Sequence, residues 1–196
     1  MQLDRRPALI IFIKNPEKGK VKTRIAQSVG DDKALEVYLA LLEHTRRMSL
    51  AVDARRYLYY SNFIDHSDAW AAAHFIKKLQ RGADLGERMH NAFAETLPET
   101  DKAVIIGSDC LALQADFVEQ AFQALDKYDY VIGPSTDGGY YLLGMKRANK
   151  ALFEGIAWST EVVLAHTLER IEQENATYLL LPALTDIDHW EDWLKA

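Results

Sequence analysis

Short apolar runs alternate along this chain with longer segments of helical periodicity, and that alternation leaves few folds open. ALIIFI (8–13), AVIIG (103–107) and TYLLLP (177–182) are short and uninterrupted, the pattern of strands covered on both faces. RYLYY (56–60), HFIKKLQ (74–80), YVIGP (130–134) and YYLLGM (140–145) read as further strands. Helical spacing runs through DDKALEVYLALLEHTRRMSL (31–50), with Asp31 or Asp32 as its cap, and through QADFVEQAFQALDKY (114–128). SDAWAAA (67–73), capped by Ser67, also reads as helix. So do DLGERMHNAFAETL (84–97) after its first turn, STEVVLAHTLERIEQEN (159–175) from Ser159, and a short Trp-rich closing segment. Strands alternating with helices predict an α/β protein with a mainly parallel sheet. YVIGP and YYLLGM stand too close for a helical crossover, so a local irregularity is expected, with one strand antiparallel or at a different level, and the sheet is expected to be mixed.

At 196 residues the chain suits one core, and we expect a single domain over 1–196. Its apolar N-terminal run PALIIFI stops at Lys14, too short for a membrane span, and no small-residue cleavage site follows. A single cysteine, Cys110, excludes an intramolecular disulfide framework and a cysteine-only zinc site, so cytoplasmic residence is the simplest expectation. A formal net charge of −6 argues against nucleic-acid binding, which needs a broad basic face.

Against that acidity, KNPEKGKVKTR (14–24) gathers Lys14, Lys18, Lys20, Lys22 and Arg24 directly after the first strand. Open α/β sheets bind ligands beyond the carboxyl ends of their strands. The segment lacks the glycines of a phosphate loop or a dinucleotide fingerprint. Lys22 and Arg24 nevertheless lead into a helix N-terminus, where backbone N–H groups favour an anion and arginine offers a bidentate fork. A solvated surface loop is the alternative.

Three other strand ends carry polar segments: Ser108-Asp109-Cys110, Ser135 to Gly139, and Ala183 to Asp192. Asp109 either caps the next helix or holds a metal. Asp186 and Asp188 are two residues apart and can point the same way in extended chain. Magnesium favours one or two protein carboxylates completed by phosphate oxygens, so Asp109 with Asp188 would suffice if their strand ends meet; the alternative for Asp188 is a cap on the last helix. Asp137-Gly138-Gly139 is a tight turn whose glycines admit a close ligand, or a turn and nothing more. Tyr140 and Tyr141 after it should face opposite ways. The histidines show no zinc-hydrolase pairing, and Cys110 has no base near it in sequence, so a buried inert thiol is expected.

FIKNPEKGKVKTR, QRGADLGERM, VIIGSDCLAL, GPSTDGGYYLLG, IAWSTEVVL and LTDIDHWEDW follow one another over nearly the whole chain. Together they resemble an uncharacterised-domain family of bacterial glycosyltransferases named transferase 1, associated with radical-SAM and selenodomain proteins, some members of which are linked with arsenosugar biosynthesis. That family looks like the nucleotide-diphospho-sugar transferase superfamily with its GT-A-like fold, and it is also similar to molybdopterin and phospholactate guanylyltransferases. The resemblance implies that Lys14, Lys22 and Arg24 clamp nucleotide phosphates, and that Gln80, Gly82, Asp84, Leu85 and Gly86 border base and ribose. It implies a divalent cation, Mg2+ or Mn2+, on Asp109 and Asp188. Asp137, Gly138, Gly139 and Tyr140 would face a small-molecule acceptor, with Asp137 as catalytic base beside Lys22 and Arg24. Two residues depart from the family pattern: Leu111, where proline often follows SDC, and His189, where threonine is usual. The expected activity is sugar transfer from a nucleotide-sugar. The alternatives are nucleotidyl transfer with release of pyrophosphate, and nucleotide binding without catalysis.

Overall fold

The computed structural model describes residues 6–196. In chain order the elements are β1 (Ala8–Ile13), α1 (Thr23–Val29), α2 (Asp31–Ala51), β2 (Arg55–Tyr60), β3 (Ile76–Leu79) and α3 (Leu85–Thr96). There follow β4 (Ala103–Ile106), α4 (Ala115–Ala124), β5 (Tyr130–Pro134), β6 (Tyr140–Met145), α5 (Val163–Gln173), β7 (Tyr178–Leu180) and α6 (Trp190–Lys195). The strands form one seven-stranded sheet in the order β3-β2-β1-β4-β6-β5-β7.

β6 runs antiparallel to both of its neighbours, β4 and β5, and every other pair is parallel. The mixed, mainly parallel sheet expected from the sequence is therefore present. The carboxyl ends of β1, β4, β5 and β7 all open on one edge, and β6 starts there.

All six residues of β1 are buried, because helices cover both faces of the sheet. Leu9, Ile11, Leu58, Val104 and Ile106 pack on one side with Tyr38 and Leu42 of α2 and with Val118 and Phe122 of α4. Ile10, Phe12, Tyr57, Ile105 and Leu143 pack on the other with Met89 and Phe93 of α3 and Ile171 of α5. A smaller cluster joins Ile25 of α1, Val37 and Leu41 of α2, and Ile187 beyond β7. It pins the C-terminal acidic segment beside the basic loop.

Three helix starts differ from the sequence-based expectation. Residues 67–73 form bends and turns, not a helix. Asp65 accepts from the Ser67 backbone and hydroxyl, both at 2.8 Å, and Asp68 from the Trp70 backbone at 3.0 Å, so local side-chain bonds replace the helical ladder. Asp31 and Asp32 lie in the first turn of α2 behind Gly30, where they meet the helix dipole without capping. Ser159 sits at φ 63, and α5 starts only at Val163.

Candidate active site

Along the open edge of the sheet lies a cleft of about 680 Å³, lined from all four strand ends marked in the sequence. Its first wall is the loop after β1. Tyr38 of α2 fixes the start of that loop: its hydroxyl accepts from Lys14 N–H at 2.8 Å and donates to Lys14 C=O at 3.0 Å. Burial pushes the Tyr38 phenol well above its ordinary pKa, so it stays protonated and keeps donating. Buried Asn15 turns the other way and ties down the 61–63 loop, donating to Phe63 C=O at 2.9 Å and accepting from Asn62 N–H at 2.9 Å.

The five cations of the loop divide into two sets. Lys20 pairs with Glu17 at 2.7 Å and Lys18 with Asp32 at 2.6 Å, so both serve the loop and its packing on α2. Lys14, Lys22 and Arg24 line the cleft.

Lys22 caps α1 in the left-handed region at φ 46, and its side chain is only 6% exposed. The ammonium stands 2.8 Å from Asp109 Oδ1 and 3.7 Å from Asp188 Oδ1, and donates to Ile187 C=O at 2.7 Å. Arg24 Nη1 lies 3.0 Å from Asp188 Oδ2. The N-terminal basic loop, the end of β4 and the segment after β7 thus meet at one point, as the sequence required. Ile187 N–H donating to Asp109 C=O at 2.8 Å holds the latter two together. Asp188 does not cap the last helix; His189 does, in a reciprocal box with Asp192.

Asp186 lines the same cleft and lies outside the residue set drawn from sequence. Burial first, then the charges of Asp109, Asp137 and Asp188, push its carboxyl up to about 7, with Lys22 opposing. The i, i+2 spacing of TDID was the available signal, but spacing alone cannot tell which of two carboxylates is desolvated.

Asp137 lines the opposite wall, and its Oδ1 accepts from Ser135 Oγ and from Gly139 N–H. Gly138 packs against the backbone of Glu161; a Cβ there would lie 2.1 Å from the Glu161 carbonyl oxygen. With Leu164 N–H donating to Gly138 C=O at 2.9 Å, the turn carries the 159–161 stretch that closes this wall. Gly139 and Tyr140 line the cleft.

The 80–86 stretch is mixed. Gln80 and Leu85 line the cleft, and the Gln80 amide bridges Ile13 C=O at 3.0 Å and Tyr59 C=O at 3.1 Å. Gly82, Asp84 and Gly86 are not among its lining residues. Asp84 caps α3 by accepting from Glu87 N–H at 2.8 Å, Gly82 takes φ 145, and Gly86 makes room for the Trp158 indole, which an added Cβ would meet at 2.4 Å. Trp158 and Met89 complete the apolar wall. Cys110 is buried and its thiol is pushed up to about 12 by desolvation and then by Asp186, the inert behaviour expected of it.

Asp109 and Asp188 both reach one ammonium, so they could reach one small cation. Among the described residues no cluster of three or more His, Cys, Asp or Glu forms a complete metal cage. Two carboxylates are a donor set that a hard divalent cation could use only together with further oxygen ligands. No helix among the described residues is long and apolar enough to cross a membrane.

The architecture is a nucleotide-diphospho-sugar transferase-like α/β fold with its cleft at the carboxyl edge of the sheet. A Desulfovibrio desulfuricans G20 protein assigned to the nucleotide-diphospho-sugar transferases superposes with a TM-score of 0.87 at 31% identity, over 94% of this chain and 83% of its own. The 4-diphosphocytidyl-2C-methyl-D-erythritol synthase of Anaerococcus prevotii DSM 20548 shares the fold at a TM-score of 0.64 and 11% identity, over 97% of this chain and 94% of its own. In sequence, 2-phospho-L-lactate guanylyltransferase of Methanocaldococcus sp. (strain FS406-22) is 24% identical over 177 residues, 88% of this chain and 74% of the relative. The family model described as "Uncharacterized protein conserved in bacteria (DUF2064)" matches residues 44–160, and the chain belongs to that family.

Proposed function

We propose that this protein is a nucleotidyltransferase that moves a nucleoside monophosphate from a nucleoside triphosphate to a small acceptor and releases pyrophosphate. The observation that carries this reading is the meeting of Lys22 and Arg24 with Asp109 and Asp188 at 2.8 and 3.0 Å. Cations able to grip phosphate oxygens stand beside carboxylates able to hold a divalent ion, at the sheet edge where nucleotides bind. The guanylyltransferase relatives support nucleotidyl over sugar transfer, which is why the alternative drawn from sequence comes first.

Lys14, Lys22 and Arg24 would orient the polyphosphate and stabilise the charge gathering on the leaving pyrophosphate. Asp109 and Asp188 would hold a divalent cation, which supplies Lewis-acid stabilisation of phosphate charge. Gln80 and Leu85 border the cleft on the side assigned to base and ribose. Asp137, whose Oδ1 accepts from Ser135 Oγ and Gly139 N–H, would accept a proton from an acceptor hydroxyl. Its turn and the apolar wall of Tyr140, Met89 and Trp158 would enclose the acceptor.

Sugar transfer is the second reading, favoured by the Desulfovibrio protein. Product analysis with α- and β-labelled donors separates the two. Release of pyrophosphate from a triphosphate supports nucleotidyl transfer. Release of nucleoside diphosphate from a nucleotide-sugar overturns it in favour of sugar transfer.

A further inference from the structure

Lys22 occupies the point on which the two carboxylates converge. Its ammonium stands 2.8 Å from Asp109 Oδ1 and donates to Ile187 C=O at 2.7 Å, while Asp188 Oδ1 stands at 3.7 Å as an ion-pair contact beyond hydrogen-bond length. We propose that Lys22 and a divalent cation compete for this point, so that the site accepts the cation as a chelate with a polyphosphate and rejects the bare ion. The inference rests on the reading above that the cleft takes a nucleotide polyphosphate, and it adds the form in which the ligand enters.

Three features carry it. The first is charge. Lys22 pairs with Asp109 and Arg24 with Asp188, so each of these two carboxylates already has a cation beside it. A bare divalent ion would have to break the Lys22 pairings and leave an ammonium stranded in a site where that side chain is only 6% exposed. The second is distance. Magnesium–oxygen contacts of about 2.1 Å and an ammonium held at hydrogen-bond length cannot share the same carboxylate oxygens without strong repulsion.

The third is backbone. Lys22 is held at φ 46, a left-handed conformation that a residue with a Cβ keeps only where its surroundings enforce it. The loop therefore fixes where the side chain begins, and the ammonium can move only by pivoting about that root. A polyphosphate supplies the exchange: its oxygens take Lys22 and Arg24 as the carboxylates turn to the cation. Metal and phosphate then bind as one coupled ligand.

Manganese titration followed by the paramagnetic signal of the free ion tests the competition without any turnover. Wild-type protein is compared with Lys22→Met, and with Arg24→Gln in case the first variant fails to fold, each checked by thermal melting. Lys22→Met is expected to bind Mn2+ alone at least about ten-fold more tightly than wild type, and Arg24→Gln more tightly by a smaller factor. Equal Mn2+ affinity in wild type and the folded variants overturns the proposal.

Calorimetry with inorganic pyrophosphate as probe gives the second arm. Pyrophosphate premixed with excess Mg2+ should bind wild type about ten-fold more tightly than pyrophosphate in EDTA, while Mg2+ alone gives no saturable heat. Saturable binding of Mg2+ alone to wild type also overturns the proposal. Should neither magnesium pyrophosphate nor any magnesium nucleotide bind while the Lys22→Met gain persists, the competition stands and the nucleotidyltransferase reading falls.

Discussion

The Lys22 ammonium and the Asp109 carboxylate, far apart in the chain, meet at 2.8 Å. The contact joins the loop after the first strand to the end of a neighbouring parallel strand, because β1 and β4 pair side by side. Asp188 reaches the same ammonium because Ile187 is buried between α1 and α2. Burial of one apolar residue thus sets the position of the acid on either side of it.

If Lys22 and Arg24 grip phosphate, removing both should cost phosphate binding selectively. Each charge-assisted bond contributes about 1.5–3 kcal/mol, so Lys22→Ala with Arg24→Ala should weaken nucleoside diphosphate binding about 100-fold or more. Nucleoside affinity should change by less than about two-fold, since neither side chain is assigned to the base. Isothermal calorimetry on both ligands checks this, and an equal loss for both would sink the clamp.

Asp186 gives the fold a pH dependence of known sign. Its carboxyl is pushed up to about 7, above the ordinary carboxylate value, so folding favours its protonated form. The carboxylic acid costs nothing special below about pH 4, and the penalty for ionising it grows as pH rises from there to about 7. Asp186→Asn, which cannot ionise, should therefore stabilise the protein at pH 8, by an amount on the order of 2–3 kcal/mol, and leave it little changed at pH 4.5. Denaturant melts at the two pH values read this directly. A stabilisation of equal size at both would show that charge is not the cause.

Cys110 should be chemically silent. Its thiol is buried and pushed up to about 12, so almost no thiolate exists at neutral pH. Native protein at pH 7.5 should resist iodoacetamide for hours, and react stoichiometrically once unfolded in guanidinium. Rapid labelling of the native state would mean that the segment bonded to Cys110 through Thr185 C=O opens readily.

The strands were legible in the sequence because a sheet covered on both faces demands unbroken apolar runs, as in Ala8–Ile13 and Ala103–Ile106. Lys22, Asp109 and Asp188 were legible because polar segments after such runs gather at one edge of a parallel sheet. The short gap between β5 and β6 signalled an irregularity and a mixed sheet, but not which strand reverses. Much of the remainder was hidden because residue type does not report its partner. Lys18 and Lys20 look like ligand-binding cations and pair with acids of their own surroundings. Asp84 and Gly86 sit within a nucleotide-like motif, yet one caps α3 and the other accommodates Trp158. Ser67 looks like a helix cap, but Asp65 offers its backbone a closer partner.

Gly138 separates a turn that merely reverses the chain from one that builds the cleft. At φ 90 an alanine is strained, and its Cβ would sit 2.1 Å from the Glu161 carbonyl oxygen, a backbone atom that cannot swing aside. Gly138→Ala must therefore displace either the Asp137 turn or the 159–161 wall. Strain of about 2–4 kcal/mol should lower the melting temperature by about 5–10 °C. Gly107→Ala is the control, since its added methyl meets nothing within 4 Å and should leave stability nearly unchanged. Fluorescence of Trp158, recorded in Trp70→Phe/Trp190→Phe/Trp193→Phe backgrounds of both variants, then reports which side moved. A spectral shift in Gly138→Ala but not in Gly107→Ala means that the wall carrying Trp158 has yielded, whereas unchanged emission with lost turnover means that Asp137 has. Wild-type stability in Gly138→Ala would contradict the contact between this turn and Glu161, and with it the description of how this wall of the cleft is built.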